Sequence, residues 1–349
     1  MEDDGTNPRR AFLRASLAFG ATGLLGCRAG ASDPPADAGE ELSGNERTTD
    51  TSEAGDSVSD LAVAATAFRF AVITDTHVID EWYRGPEGGP LDTESVLQAN
   101  ERLDAVVNRI NGLENPVDLV IHVGDLVHTL AQCGSSCDLD FQYENRTSID
   151  LAAEKMARLN APHQICYGNH DYEFETLERE DVHDLFAEKL GESMPPYGVF
   201  EHHGWKFITL NSYLGNTHAN FQDPLNGSCG EEQLLWLEAQ LQERKPTMVF
   251  LHQMLQIMEQ TEVRDFGLHS LLRQYEDTIP WVLAGHTHRW LPFGRQFGPE
   301  HMVIGATRYD EDSFVIGEAN LASGEVSFLN ESTWETLTPF AERWEEGSG

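Results

Sequence analysis

Five apolar runs of this sequence each end in side chains that bind metals, and this regularity limits the possible folds more than any other feature. The runs end in the strings DTH (75–77), GD (124–125), GNHD (168–171), LH (251–252) and GHTH (285–288). Short apolar runs that alternate with helical patterns predict an α/β fold whose sheet is covered on both faces. Ligands bind at the carboxyl ends of strands in such sheets, so we expect the five ends to converge on one rim.

The polar side chains at these ends form one candidate metal cluster. Its members are Asp75, His77, Asp125, Asn169, His170, His252, His286 and His288. The set exceeds the four ligands that one zinc ion takes, and it fits two ions that share a carboxylate. Oxygen combined with imidazole suits Fe, Mn or Zn. The D-x-H and H-x-H spacings fit extended backbone, in which side chains two residues apart point the same way.

Other histidines do not follow strands in this way. His122 is interpreted as a packing residue and His128 as a surface or satisfied core residue. His218 is the best candidate among the remainder, because its long loop can cover the rim.

The charge balance excludes one class of partner. The chain has 23 Lys+Arg against 59 Asp+Glu, a formal net charge of −36 over 349 residues. Such a surface repels nucleic acids, which need basic patches. Nucleic acid is therefore not expected as a partner, and the oligomeric state stays open.

The first residues have the pattern of an export signal rather than of a folded element. The string RRAFLR resembles a twin-arginine signal, and LLGC resembles a lipobox that ends at Cys27. We expect residues 1–26 to be a signal peptide, residues 27–67 to be a disordered acidic linker, and Cys27 to carry lipid. The protein would then be exported and lipid-anchored to a bacterial membrane, on the periplasmic or cell-surface side. The alternative is a short N-terminal helix with a chance Arg pair.

The folded part is expected to span residues 68–331, and residues 332–349 a short C-terminal helix and tail. Within it, residues 301–330 have the alternation of a β-meander. Cys133 and Cys137 are a candidate disulfide, since export permits oxidation, whereas Cys166 is expected to be a buried thiol.

In their order along the chain, the five motifs resemble those of the calcineurin-like metallophosphoesterases, through roughly residues 68–320. The resemblance implies a β-sandwich flanked by helices, a four-layer αββα fold with a dinuclear metal site at the strand ends. It also implies that residues 68–331 are a catalytic domain with two divalent or trivalent ions (Fe, Mn or Zn). The substrate would be a small phosphate ester, either a phosphodiester or a phosphomonoester.

Carried over motif by motif, the resemblance implies roles for individual residues. The first ion would be held by Asp75, His77 and His288. The second ion would be held by Asn169, His252 and His286. Asp125 would bridge the two ions, and His170 would be the general acid in hydrolysis by a metal-activated hydroxide.

A difference from one branch of the family and one alternative function bear on this interpretation. Purple acid phosphatases, one branch of the family, have Tyr three residues after the bridging Asp, where this chain has His128. The pattern is more similar to the bacterial branch of cyclic-nucleotide and glycerophosphodiester phosphodiesterases. The alternative function is a metal-loaded but catalytically inactive binding module at the cell surface.

Overall fold

Apolar residues alternate along the first strand between two buried faces. The computed structural model describes residues 67–86, 89–131, 138–172, 177–215, 227–263 and 266–337. In the strand Ala67–Ile73, Phe70 and Val72 face one apolar cluster, while Ala71 and Ile73 face another. A strand that is buried on both sides has a continuous apolar sequence, and this explains the apolar runs that precede the polar motifs.

The chain forms eleven strands and seven helices within the described residues. The strands are β1 Ala67–Ile73, β2 Leu119–His122, β3 His163–Ile165, β4 Gly198–His202, β5 Trp205–Leu210, β6 Thr247–Leu251, β7 Trp281–Ala284, β8 Leu291–Arg295, β9 Glu300–Val303, β10 Val315–Asn320 and β11 Val326–Phe328. The helices are α1 Pro90–Asn111, α2 Leu139–Glu144, α3 Ser148–Met156, α4 Arg179–Leu190, α5 Glu231–Leu241, α6 Leu268–Gln274 and α7 Glu331–Leu337. Two short 3₁₀ turns are Gly191–Ser193 and Leu255–Ile257.

The strands form two sheets. The first sheet has the order β11-β10-β1-β2-β3, and the second has the order β4-β5-β6-β7-β9-β8. Strands β1, β2 and β3 run parallel to one another, as do β5, β6, β7 and β9. Parallel neighbours end at the same edge of their sheet, so the motifs that follow β1, β2 and β3 share an edge, and those that follow β6 and β7 share another.

Three apolar clusters show how the layers pack. One lies between the first sheet and helices α1, α3 and α4, and includes Ile73, Leu103 and Ile149. A second lies between the second sheet and helices α5 and α6. The third lies between the sheets, where Phe70 meets Phe207 with ring centroids 5.5 Å apart. Two sheets flanked by helices are the predicted αββα arrangement, and the fold prediction is confirmed.

The predicted β-meander over residues 301–330 is wrong. Strand β9 belongs to the second sheet, where it pairs with β7 and β8, whereas β10 and β11 belong to the first. The chain crosses between the sheets after β9, and on the way the amide of Thr307 donates to the carbonyl of Thr74 at 3.0 Å. Local alternation indicates strands but cannot say which sheet each one joins.

Several predicted features lie outside the described residues. These are the signal peptide, Cys27, the linker apart from Ala67, the Cys133–Cys137 disulfide, His218 and residues 338–349. Cys166 is a buried free thiol, as predicted. Cys229, for which the sequence makes no prediction, is also a buried free thiol. Within the ranges that the structure describes, no helix combines the length and apolar character needed to cross a membrane.

Candidate metal centre

Backbone hydrogen bonds join the ends of the strands that carry the motifs. The amide of Asp75, after β1, donates to the carbonyl of Gly124 at 3.0 Å, and the amide of His77 donates to the carbonyl of Asp125 at 3.1 Å. Across the sandwich, the amide of His286 donates to both carboxylate oxygens of Asp75, at 3.2 and 3.1 Å. The rim predicted from the sequence therefore includes ends from both sheets.

The backbone at the rim is left-handed rather than extended. Positive φ occurs at Asp75 (51°), His77 (48°), Asp125 (53°), His286 (73°) and His288 (58°). The sequence interpretation of D-x-H and H-x-H as extended backbone is therefore wrong. Non-glycine residues adopt this region at an energetic cost, and such residues cluster at functional sites.

Glycines beside these residues leave room for the close approach of neighbouring chains. Gly124 has φ of +95°, and a Cβ there would lie 2.6 Å from Nδ1 of His252. A Cβ at Gly285 would lie 2.6 Å from Oδ2 of Asp75. Both contacts are too short for any other residue, which explains the Gly with which these two motifs begin.

One group of potential ligands consists of Asp75, His77, Asp125 and His288. Nε2 of His77 lies 3.2 Å from Nε2 of His288, 3.6 Å from Oδ2 of Asp125 and 3.9 Å from Oδ1 of Asp75. Nε2 of His288 lies 3.2 Å from Oδ1 of Asp75. Four ligand atoms this close can surround a single ion.

A second group consists of Asp125, His252 and His286. Asn169 joins it, because its Oδ1 lies 2.9 Å from Nδ1 of His286. His252 donates from Nδ1 to the carbonyl of Val123 at 2.8 Å, and its Nε2 lies 3.2 Å from Oδ2 of Asp125. Among the described residues, none makes a well-formed hydrogen bond to this buried Nε2. A buried nitrogen in that position fits a metal ligand.

The structure brings together all seven residues that were predicted to bind metal. They fall into two groups that share Asp125, and each group combines carboxylate with imidazole. The arrangement can hold metal ions, and the donor set of oxygen and imidazole suits Fe, Mn or Zn.

The electrostatics of the centre favour added positive charge. Burial raises the pKa of Asp125, but the charges of His252 and His170 outweigh it and hold the pKa below its ordinary value. Burial lowers the pKa of His252, but the carboxylates of Asp125 and Asp75 raise it to about 9. A buried pair of carboxylates thus retains a proton on a neighbouring imidazole, and a cation can take the place of that proton.

His170 lies beside both groups, and its backbone fixes it there. Its amide donates to Oδ1 of Asp125 at 2.8 Å, and its Nδ1 lies 2.7 Å from the carbonyl oxygen of His128. A carbonyl only accepts, so Nδ1 carries a proton and Nε2 is the nitrogen left for other partners. The ring stands edge-on to that of His77, with centroids 4.6 Å apart.

Residues beside the predicted ligands hold the motif loops. His122 is not a mere packing residue: Nδ1 accepts from the amide of Gly124 at 3.2 Å, and Nε2 lies 2.9 Å from Oγ1 of Thr76. Asp171 accepts from the amides of Gly168 (2.8 Å) and Val127 (3.1 Å). Burial and the charge of Asp125 raise the pKa of Asp171 to about 8.

Two further side chains reach predicted ligands directly. The hydroxyl of Tyr213 donates to Oδ1 of Asn169 at 3.3 Å, and Nδ1 of His128 lies 3.1 Å from Nδ1 of His77. His128 is therefore a buried residue of the centre and not a surface residue. Proximity to a motif is the only sequence signal for His122 and His128, and Tyr213 has none.

Comparison with known proteins settles the family. The profile of the calcineurin-like phosphoesterases matches residues 68–290, a span that contains every motif of the rim. The chain belongs to the calcineurin-like phosphoesterase family. Membership makes it a hydrolase of phosphoric esters, which confirms the predicted class of enzyme.

This calcineurin-like phosphoesterase is similar in sequence to one relative and in structure to another. It is 28% identical over 230 residues, 62% of this chain and 70% of the relative, to a probable glycerophosphodiester phosphodiesterase, GpdQ, from Arcobacter nitrofigilis. It also shares its fold with a dimetal phosphatase from Danio rerio, with a TM-score of 0.51 and 16% identity over 72% of this chain and 92% of that one.

Proposed function

We propose that the protein is a two-metal phosphodiesterase in which His170 protonates the leaving alcohol. The observation that carries the proposal is the pair of ligand groups that share Asp125, with His170 bonded to that same carboxylate. The name of the relative from Arcobacter nitrofigilis supports diesters of the glycerophosphodiester type as the first substrates to test.

In this proposal each group of ligands holds one ion. Asp75, His77 and His288 hold the first, Asn169, His252 and His286 hold the second, and Asp125 contributes to both. When bound, two such ions supply Lewis acidity that polarises the phosphoryl group and makes water nucleophilic near neutral pH. The buried Nε2 of His252, 3.2 Å from Oδ2 of Asp125, and the buried carboxylates fit this role.

His170 supplies the proton that the leaving group needs. Its Nδ1 is held by the carbonyl of His128 at 2.7 Å, so the ring is oriented and the proton is given from Nε2. An alkoxide is a poor leaving group, and protonation by a positioned imidazole typically contributes about 10²–10⁴-fold in rate. The side chain is half-buried, which leaves it accessible to an ester bound at the rim.

One substrate panel tests the proposal. Protein loaded with Mn, or with Fe and Zn, is assayed on an aryl phosphate, a bis-aryl phosphate, cyclic AMP and glycerophosphodiesters, with chelated protein as the control. We expect turnover of diesters in preference to the aryl monoester, and no turnover after chelation. A protein that binds two ions and hydrolyses none of the panel would instead be the inactive binding module.

A further inference from the structure

We propose that His128 is a positioning residue that accepts a hydrogen bond from His77 and so fixes the nitrogen that His77 turns to the first ion. The inference rests on the proposed function, because it assigns His77 to that ion. It concerns a side chain that no motif contains.

The hydrogen bond determines the proton positions on both rings. Nε2 of His77 faces Asp75, Asp125 and His288, so coordination requires a lone pair on Nε2. A neutral imidazole then carries its proton on Nδ1, and this atom lies 3.1 Å from Nδ1 of His128. His128 must therefore accept at Nδ1 and keep its own proton on Nε2. An acceptor in this position orients a metal-binding imidazole and raises its basicity.

His128 is held firmly enough for this role. Its amide donates to the carbonyl of Val78 at 2.9 Å, and its ring stacks on that of His170 with centroids 5.1 Å apart and an interplanar angle of 27°. The ring of Tyr83 packs edge-on against the ring of His128, with centroids 5.5 Å apart. Only 6% of the residue is exposed, so water would not readily take the place of Nδ1 if a substitution removed it.

The same residue contacts His170 through its backbone. The carbonyl oxygen of His128 accepts from Nδ1 of His170, and this contact does not depend on the His128 side chain. Substitutions of the side chain therefore keep this hydrogen bond to His170, while they remove the ring stack and the imidazole acceptor for His77.

A competing role is direct coordination. Nitrogens of His77, His128 and His170 lie close enough to form a third group of potential ligands. In that case His128 would bind an ion itself, and an amide in its place, a weaker ligand than imidazole, would lower the affinity of that site. The hydrogen-bond role predicts that an acceptor in the place of Nδ1 suffices.

The test compares near-isosteric variants of the full chain. In His128→Asn, the amide oxygen can occupy the place of Nδ1, whereas His128→Leu has no acceptor. Mn²⁺ binding to metal-free protein is measured by equilibrium dialysis, and melting followed by circular dichroism confirms the fold. We expect the Leu variant to weaken one of two sites by about 10–100-fold, and the Asn variant to stay within ~3-fold of the parent protein.

A third variant keeps the test decisive if the Leu variant does not fold. His128→Gln is polar, but its carbonyl reaches the place of Nε2 rather than Nδ1, so we expect it to weaken one site as the Leu change does. Equal weakening by Asn and Gln would overturn the proposal in favour of direct coordination, and parent-like binding by Gln would also overturn it. Two bound ions without turnover in the parent protein would refute the proposed function alone, while failure of the parent to bind ions would refute both.

Discussion

Replacement of His170 by Asn should remove a proton donor while leaving the metal ligands in place. The contact between His170 and Asp125 uses the backbone amide, at 2.8 Å, and survives the change. The Asn amide can also donate to the carbonyl of His128, as Nδ1 does at 2.7 Å. What the variant lacks is a group at the position of Nε2 that can give up a proton. Two ions per chain should therefore be retained.

The size of the effect depends on the leaving group. General acid catalysis contributes about 10²–10⁴-fold, which corresponds to about 2.7–5.5 kcal/mol in the barrier. His170 is anchored at Nδ1 and packed against the rings of both His77 and His128, so little orientation is lost in reaching the reactive geometry. We therefore expect His170→Asn to lower the rate by about 10³-fold or more on a glycerophosphodiester that releases an alkoxide. Nitrophenolate leaves without a proton, so its ester should lose ~10-fold at most.

The assay measures kcat on both esters with parent and His170→Asn protein, each with its metal content determined. The ratio of the two rate losses is the decisive quantity, because a general defect in the centre would lower kcat on both esters by the same factor. Equal losses on both esters with full metal occupancy would refute the assignment of His170 as the general acid.

Three further predictions address the ions, the fold and the N-terminus. Asp125→Asn should abolish binding of both ions, whereas His288→Ala should weaken mainly one; metal analysis that finds two ions per chain in the Asn variant would contradict the shared role. Burial lowers the pKa of His301 to about 4, below its unfolded value of about 6.5, so the unfolded state binds the proton more readily between these values. The free energy of unfolding should therefore fall by about 3 kcal/mol as pH drops through that window. In His301→Gln, the free energy of unfolding, measured by denaturant titration at each pH, should depend less on pH. An unchanged pH dependence would disprove this source of acid sensitivity. We also propose that Cys27 carries the lipid anchor, so Cys27→Ala should move the protein from the membrane to the soluble fraction, and unchanged fractionation would exclude lipidation.

The sequence was sufficient to predict the fold and which motif residues the fold brings together at the rim. Each motif follows an apolar run, and the polar residues at Asp75, Asp125 and His252 have no place in an apolar core unless they serve a site. The end of a strand is a local feature, and the convergence of parallel strand ends is a general property of α/β sheets. Both steps can be made without knowledge of long-range pairing.

The sequence was not sufficient where the outcome depends on contacts between distant segments. Strand β9 joins the second sheet because it fits beside β7, and nothing within residues 301–330 encodes that partner. The roles of His128 and Tyr213 depend on which side chains the fold brings within hydrogen-bond distance. Their sequence neighbours carry no pattern that distinguishes them from packing residues.

The left-handed backbone at the ligands shows what the sandwich contributes to the chemistry. Such conformations cost on the order of 1–3 kcal/mol each, though Asp and His tolerate them better than β-branched residues. The hydrogen bonds that hold them, such as Asp75 to Gly124 and His77 to Asp125, are made by the protein alone. Because His122 and Asp171 add further bonds between the same loops, the strained turns are maintained from several sides. The folded sheets therefore supply the order of the turns that carry the candidate ligands.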